Sequence, residues 1–347
     1  GLNESLFIGD VKAPLFPSVY GVYKMDRLAF SLGFNPIGGG GGAEYSKGLP
    51  SFELAASDLV PSLATAYGAK QYRLDAYLKG SSVFFGLQGG VSFKVNEWLS
   101  VAAGIRYVMA KNTYNGHLND IEINVGTIET PSWTRADGIM TTIAAGATTA
   151  ATNTTALVNG GAGSLTLAQA QTAGIIDATQ RAQLEGALTS FGSPTTVTIS
   201  TADAVFKGAA ARYTATATLL GDQSVDATQS GSGITPIFSV NISPTENLNI
   251  GIKYEMKTRM EIENKTAEDF LMGFQTNGTP ITMFPDGTTT PSDMPAMLTG
   301  GIDYKLSDGL KVSAGFNYFF DKSADYGRKL NLDNISATPT TFVKNKD

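Results

Sequence analysis

Residues 83–109, VFFGLQGGVSFKVNEWLSVAAGIRYVM, decide the fold because their side chains alternate between apolar and small or polar. In residues 83–95 every second residue is apolar apart from Gly89. A short turn at Asn96 and Glu97 then leads into a second run of the same kind. Alternation with a period of two is typical of a β-strand with one apolar face. The segment therefore predicts a long β-hairpin.

The same rhythm recurs along the chain. It is clearest in residues 248–263, a run far longer than the five or six residues typical of strands in globular proteins. Other alternating runs that flank tight turns occupy residues 19–23, 28–34, 235–242, 298–306 and 310–320. Tight turns on one side and long connections on the other are typical of outer-membrane barrels. The pattern predicts an all-β fold, a transmembrane antiparallel β-barrel with about eight visible strands.

The composition excludes several classes of function. The 347 residues include no cysteine and one histidine, so we expect no disulfide framework and no metal site built from these residues. A net charge of −6 gives no general attraction for nucleic acid, which favours a basic surface. No run of 18 uncharged apolar residues occurs, so no transmembrane helix is expected. We expect no metal, no cofactor and no nucleic-acid partner.

Two long connections are predicted to fold as helices outside the barrel. Residues 43–80 contain an apolar stretch, 52–66, which predicts a helix interrupted at Pro61. Residues 126–230 are too long for bare coil and should form a helical cap. Its helices are predicted near residues 137–149, 165–175, 178–191 and 202–220. The whole of 1–347 is expected to be one barrel domain, incomplete at both ends, because residues 344–347 lack the terminal aromatic residue of a last barrel strand.

The helix predicted at residues 52–66 is the first candidate site. Its apolar side chains at helical spacing are Phe52, Leu54, Leu59, Val60 and Leu63. They either pack onto the larger cap or form an extracellular groove that captures an apolar ligand, because exposed apolar patches usually mark binding surfaces. The two interpretations are compatible.

A ladder of charges in the longest predicted strand is the second candidate site. Its members are Lys253, Glu255, Lys257, Arg259 and Glu261. A charged side chain facing lipid costs about 2–4 kcal/mol at the midplane, so the ladder must face the lumen or lie beyond the bilayer. In the lumen it would be structural, by pairing with neighbouring strands and a plug, or it would line a polar passage.

Two features have a catalytic interpretation that the sequence does not favour. The five glycines at 38–42 lack the Lys-Ser/Thr pair of a phosphate-binding loop, so a flexible or kinked segment is favoured. His117 could act as the base of a lipid-modifying barrel enzyme, but no nucleophile elbow accompanies it. A solvated histidine at a loop rim is favoured instead. We therefore expect no enzymatic activity.

Several motifs resemble the FadL/TodX family of outer-membrane transporters for long-chain fatty acids and aromatic hydrocarbons, in the version common in Bacteroidetes. They are FNPIGGGGGAEY at 34–45, LPSFE at 49–53, GITPI at 233–237 and MPAMLTGGIDY at 294–304. The resemblance implies the outer membrane of a Gram-negative bacterium and a 14-stranded barrel plugged by an N-terminal hatch. It also implies a hydrophobic capture groove, an interior pocket and a lateral exit at an inward kink of an early strand.

The resemblance also predicts where the kink lies and which functions compete. Asn35, Pro36 and Gly38 fall where the kink would be, because proline cannot donate to a strand ladder and glycine tolerates the bend. The leading function is passive uptake of hydrophobic small molecules such as long-chain fatty acids, with the lipid bilayer and the ligand as partners. The alternative is a non-transporting barrel that serves as a platform in a secretion or surface-assembly complex, with a protein partner bound at 126–230.

The chain departs from the family in two ways. About eight strands are visible rather than fourteen, and the N-terminal hatch is missing. Either the sequence is a fragment or it is a small eight-stranded barrel, whose interior would be filled by side chains.

Overall fold

The computed structural model describes residues 2–3, 6–12 and 16–327. These residues form strands β1 (Gly9–Lys12), β2 (Val19–Met25), β3 (Leu28–Tyr45), β4 (Gln71–Lys94), β5 (Leu99–Asn124), β6 (Trp133–Arg135), β7 (Gln223–Thr245), β8 (Leu248–Glu255), β9 (Glu261–Glu268), β10 (Leu271–Phe274), β11 (Pro280–Thr282), β12 (Thr289–Pro291), β13 (Met297–Ser307) and β14 (Leu310–Phe319). The α-helices are α1 (Pro50–Ser57), α2 (Leu59–Tyr67), α3 (Ala136–Leu157), α4 (Leu167–Thr172), α5 (Ala178–Ser190) and α6 (Ile199–Leu220). None of the helices in this part of the chain has both the length and the apolar character needed to cross a membrane.

All strands except β10 and β11 belong to one antiparallel sheet. Its main path in hydrogen-bonded order is β1, β3, β4, β5, β7, β8, β13 and β14. β2 pairs with β3, so it occupies the same position in the sheet as β1. β9 pairs with β7 and β12, so it occupies the same position as β8. Tight turns join β2 to β3, β4 to β5, β7 to β8 and β13 to β14. The prediction of an antiparallel β fold with about eight strand positions is confirmed.

The sheet is curled and, within the described residues, open. Side chains of β3, β4, β5 and β9 pack in one cluster on the same face, although β3 and β9 are separated by three other strands. At one edge β1 and β2 pair only with β3, and at the other β14 pairs only with β13. Because strand direction alternates along the path, β2 runs toward the tight turns and β14 runs away from them. The two edges are therefore antiparallel to each other.

The prediction of one continuous strand over residues 248–263 is wrong. β8 ends at Glu255, which pairs with Ile237, and β9 begins at Glu261, which pairs with Ser232. Five residues of the β8–β9 segment therefore oppose four residues of β7. One extra residue in a strand moves all following side chains to the other face of the sheet. The period-two rhythm continues through this bulge, so the sequence pattern did not reveal it.

The helix predicted at 52–66 is two helices, and its break lies at Asp58 rather than at Pro61. Pro61 is the third residue of α2, where the backbone N–H that proline lacks would have no helical acceptor. The connection is also shorter than expected, because β3 extends to Tyr45 and β4 begins at Gln71.

The helical cap, α3 to α6, is smaller than residues 126–230. β5 continues to Asn124 and β7 already begins at Gln223, so the helices occupy residues 136–220. The two longest helices, α3 and α6, pack side by side, and α4 and α5 complete a separate apolar core at their far end. That core includes Phe206, whose side chain is fully buried. The prediction about residues 344–347 lies outside the described residues.

Candidate functional site

The outer face of the sheet carries an apolar band that no other part of the described chain covers. Ile105 on β5 is 56% exposed and Phe238 on β7 is 51% exposed. On β5 the band extends from Leu99 to Met109, and the next side chain on this face is Lys111. Ten residue steps of about 3.3 Å give about 33 Å, or about 25 Å after the usual barrel tilt of 35–45°. This equals the height of the apolar band of outer-membrane barrels.

The inner face carries a network of charged and amide side chains at the level of the middle of that band. The guanidinium of Arg106 on β5 forms two hydrogen bonds with the Glu255 carboxylate on β8, at 2.7 and 3.1 Å. The same guanidinium donates to Gln88 Oε1 on β4 at 3.1 and 3.0 Å. Lys253 Nζ lies 2.7 Å from Glu255 Oε1. The network thus connects three strand positions across the inner wall.

A shallow pocket of about 170 Å³ lies on the inner face beside this network. Arg106 and Lys253 line it, and Gly90 and Gly104 form part of its floor. These two glycines pair across β4 and β5, so the sheet backbone itself is open to the pocket. Ser31, Ser92 and Ser239 add hydroxyls, while Val91, Ala102, Ala103 and Ile237 add apolar surface, so the lining of the pocket is mixed.

An inner apolar cluster lies on the side of the network away from the tight turns. Its members are Ile37, Phe84, Val108, Ala110, Met260, Ile262 and Met294. Val108 is two residues beyond Arg106 on the same face of β5, so the cluster directly follows the charged network along the wall. The inner face therefore changes from polar to apolar along the strand direction. The site residues predicted from the sequence do not include this cluster, Gln88 or Arg106.

β3 is distorted at the predicted kink. Register shifts occur between Pro36 and Gly38 and between Gly39 and Gly41, so β3 bulges against β4. On the other edge of β3, β2 pairs only as far as Phe34, and β1 pairs only from Gly42 onward. Residues 35–41 therefore have no strand neighbour on that side within the described chain. This stretch of β3 lies beside the inner apolar cluster, to which Ile37 belongs.

The residues of the predicted capture groove pack against the rest of the protein instead of lining an open groove, except for one. Phe52, Leu59, Val60 and Leu63 belong to an apolar core that also contains residues of β4, β5, α3 and α6. Leu54 lies outside that core and is 53% exposed. The packing interpretation of these four side chains therefore fits their positions.

The charge ladder is divided between the two faces of the sheet. Lys253 and Glu255 belong to the inner network. Lys257 and Arg259 lie in the bulged segment, where Lys257 Nζ contacts Asp293 at 3.0 Å. Glu261 shares the outer face with its strand partner Ser232, which pairs with Met109 at the end of the apolar band. The expectation of a single lumen-facing ladder is corrected, because the extra residue between β8 and β9 reverses the faces.

His117 and the glycines at 38–42, the two features with a catalytic interpretation, lie in surroundings that a structural role explains. His117 Nε2 lies 3.1 Å from Asp75 Oδ2, and its ring stacks on Tyr77. The glycines at 38–42 continue β3 rather than form a loop before a helix. Among the described residues no group of three or more His, Cys, Asp or Glu side chains is placed to hold a metal ion.

The solved structures that resemble this chain include a hydrocarbon channel and a toluene transporter. No family model and no curated protein matches the sequence. A structure described as the CymD monoaromatic hydrocarbon channel is 11% identical, with a TM-score of 0.35, and the match covers 92% of this chain and 58% of that one. The Pseudomonas putida toluene transporter TodX is 15% identical, with a TM-score of 0.34, and the match covers 87% and 54%.

This chain thus spans a little over half the length of both neighbours. Because both TM-scores are below 0.5, we take the architecture from the sheet itself and not from these neighbours.

Proposed function

We propose that this chain forms part of the wall of an outer-membrane β-barrel that passes hydrophobic small molecules without covalent chemistry. The observation that carries the proposal is the distribution of side chains over the sheet, which is the reverse of that in a water-soluble protein. The sheet's outer face is apolar and bare over about 25 Å, and its inner face carries the charged network around Arg106 and Glu255, as expected of a barrel that spans the outer membrane. A water-soluble sheet protein would instead bury its apolar face.

We propose that further strands close the sheet. β2 and β14 both have one unpaired edge within the described residues, and they run in opposite directions. Antiparallel pairing at both edges therefore requires an even number of additional strands. Six more would give the fourteen of the resembled family. An unpaired edge in a membrane is unfavourable because its N–H and C=O groups find no water there.

The lateral exit is proposed at residues 35–41 of β3, where the pairing with β4 is bulged. This stretch lies next to the inner apolar cluster and near the upper end of the outer apolar band. A ligand that leaves the inner face here would enter the hydrocarbon region directly. CymD and TodX are described as a hydrocarbon channel and a toluene transporter, which supports an apolar ligand. Long-chain fatty acids are a second ligand class.

A pair of arginine substitutions tests membrane residence. Ile105→Arg places a charge in the middle of the outer band, and Ala102→Arg places one on the inner face of the same strand. We expect Ile105→Arg to lower the free energy of unfolding in lipid by about 2–4 kcal/mol and Ala102→Arg to have a much smaller effect. Urea titration in vesicles, followed by tryptophan fluorescence, measures both. Equal effects of the two variants would contradict the proposal.

A second candidate function is a platform for a protein partner, and the separate core of the helical cap favours it. The cap packs mainly on itself through α3 and α6, and only the ends of these helices near the sheet belong to the core shared with β4 and β5. Replacing residues 145–211 by a short Gly-Ser linker removes the separate core and keeps those helix ends. Uptake by the intact chain that persists in this variant supports transport by the sheet. No uptake by the intact chain, together with loss of a co-purifying protein in the variant, supports the platform.

A further inference from the structure

The inner apolar cluster is bordered by two amide oxygens that have no hydrogen-bond partner. Asn112 Oδ1 and Asn35 Oδ1 each expose less than 1 Å². Asn112 follows Ala110 on the inner face of β5, on one side of the cluster. Asn35 shares a cross-strand row with Gly86 and Val108, on the other side. Both positions therefore border the cluster along the direction in which a ligand would travel.

The orientation of the Asn112 amide is fixed by a relay of hydrogen bonds. Asn264 Nδ2 donates to the backbone oxygen of Pro285 at 3.2 Å, and a carbonyl can only accept. Asn264 Oδ1 therefore faces Gln229 Nε2, which donates to it at 2.9 Å. Gln229 Oε1 is left to accept from Asn112 Nδ2 at 3.2 Å. Every amide in the row points the same way, so the unmet acceptor at its end is an oxygen.

An unmet acceptor in this position is a site for a donor. Asn112 is 8% exposed and its Oδ1 exposes less than 1 Å², so a donor reaches this oxygen only when neighbouring side chains move. A buried acceptor without a partner is unfavourable, so a molecule that supplies an N–H or O–H gains affinity there. Two of the side chains in the cluster, Met260 and Met294, are unbranched and can move aside.

We propose that the inner apolar cluster and Asn112 together bind apolar compounds that carry a hydroxyl group, such as phenols and alcohols, in preference to plain hydrocarbons. This inference rests on the proposed passage of hydrophobic molecules and specifies their class. The ring or chain contacts Phe84, Val108 and Met260, and the hydroxyl donates to Asn112 Oδ1. Asn35 Oδ1 offers a second acceptor on the side of the charged network.

The test compares two ligands of the same shape. p-Cresol and p-xylene differ only by a hydroxyl in place of a methyl group, and both are titrated against the full-length protein in lipid nanodiscs. The variants are Asn112→Leu, which removes the acceptor, and Asn112→Ala, which removes it without added bulk. Asn115→Leu is the matched control, because Asn115 lies three residues further on the same strand and faces outward.

We expect the ratio of the p-xylene to the p-cresol dissociation constant to fall about five- to tenfold in both Asn112 variants, the effect of one hydrogen bond. The ratio should not change in Asn115→Leu. An unchanged ratio in Asn112→Leu or Asn112→Ala overturns this inference, while p-xylene binding by the wild type leaves the proposed function standing. Failure of the wild type to bind either ligand overturns the proposed function, and this inference with it.

Discussion

The sheet and the helical cap of this chain place their apolar side chains in opposite ways, on the outside in the sheet and on the inside in the cap. On the sheet, large apolar side chains such as Phe238 lie on the outside, and charged side chains such as Arg106 and Glu255 lie on the inside. In the cap, Phe206 and Leu188 are fully buried, and polar side chains such as Thr148 and Thr149 are exposed. The two regions have similar apolar content, so composition does not distinguish them. They differ instead in the period of their apolar pattern and in whether other parts of the chain cover their apolar face.

This difference follows from what surrounds each region. A helix pair in water gains stability only by burying its apolar stripe, and α3 and α6 do so against α4 and α5. A barrel wall in lipid gains nothing by burying its apolar face, and it must instead satisfy every backbone group by strand pairing. The long registers of β4 with β5 and of β5 with β7 fulfil that requirement.

The largest expected effect comes from removing the central aromatic residue of the cap. Phe206→Ala leaves a cavity in a closed core, and we expect it to lower the free energy of unfolding of the cap by about 3–5 kcal/mol. Phe238→Ala, on the lipid-facing side, is the control and should cost much less, because lipid fills the space. Far-UV circular dichroism at 222 nm follows the helices during thermal unfolding. Similar losses would mean that the two regions do not differ in their surroundings.

The next effect tests the polar inner face. Glu255→Gln leaves the Arg106 guanidinium on the inner wall without its carboxylate partner, and we expect a loss of about 2–3 kcal/mol in lipid. Glu261→Gln is the control, because that carboxylate is exposed on the outer face at the end of the apolar band. Urea titration of both variants in vesicles gives the difference. If Glu261→Gln costs as much, the inner network has no special role.

Much of the sheet could be predicted from sequence because period-two alternation depends on adjacent residues. The hairpin of β4 and β5 even fixes the pairing of Gln88 with Arg106, since both lie nine residues from Glu97 at its turn. The partner Glu255 could not be found in this way. It is 149 residues from Arg106, and its position depends on the register of β5, β7 and β8 together.

Other features differ in whether the sequence carries a local signal for them. The bulge between β8 and β9 is invisible in a pattern that keeps its rhythm through it. The starts of α4 and α5 do carry a signal, because Thr166 with Gln169 and Asp177 with Gln180 form capping boxes. The unmet acceptor of Asn112 depends on three other residues from separate segments, and no spacing within one segment reveals it.

A smaller effect concerns the glycine run in β3. Gly39 has a φ of +82°, and a Cβ there would lie 2.1 Å from the Ser82 backbone oxygen. We expect Gly39→Ala to cost about 1–2 kcal/mol or more and to disturb the bulge. Gly40→Ala is the control, because its Cβ would meet nothing within 4 Å. Uptake and stability in urea are measured for both variants. If the bulge is required, only Gly39→Ala lowers them; if the glycine run tolerates substitution, the two variants behave alike.

The smallest effect is a pH dependence that belongs to the cap alone. Burial raises the pKa of Asp203, but hydrogen bonds from Lys207, Thr155 and Thr154 outweigh it and hold the pKa below its ordinary value. Lys207 Nζ donates at 2.7 Å and Thr155 Oγ1 at 2.5 Å. The carboxylate therefore stabilises the folded cap above the pKa of the unfolded chain, near pH 4. This contribution is lost as the pH falls through the lower pKa of the folded state.

Asp203→Asn should remove that contribution at neutral pH, by about 1 kcal/mol, and should flatten the acid limb of cap stability below pH 4. Thermal unfolding at 222 nm between pH 2.5 and 7 provides the measurement, because most of the described helix lies in the cap. The sheet in lipid serves as an internal reference, since Asp203 does not contact it. An acid limb of the same slope in Asp203→Asn would assign the pH dependence to other carboxylates. The hydrogen bonds from Thr154 and Thr155 on α3 to Asp203 on α6 would then make no specific contribution to the acid limb.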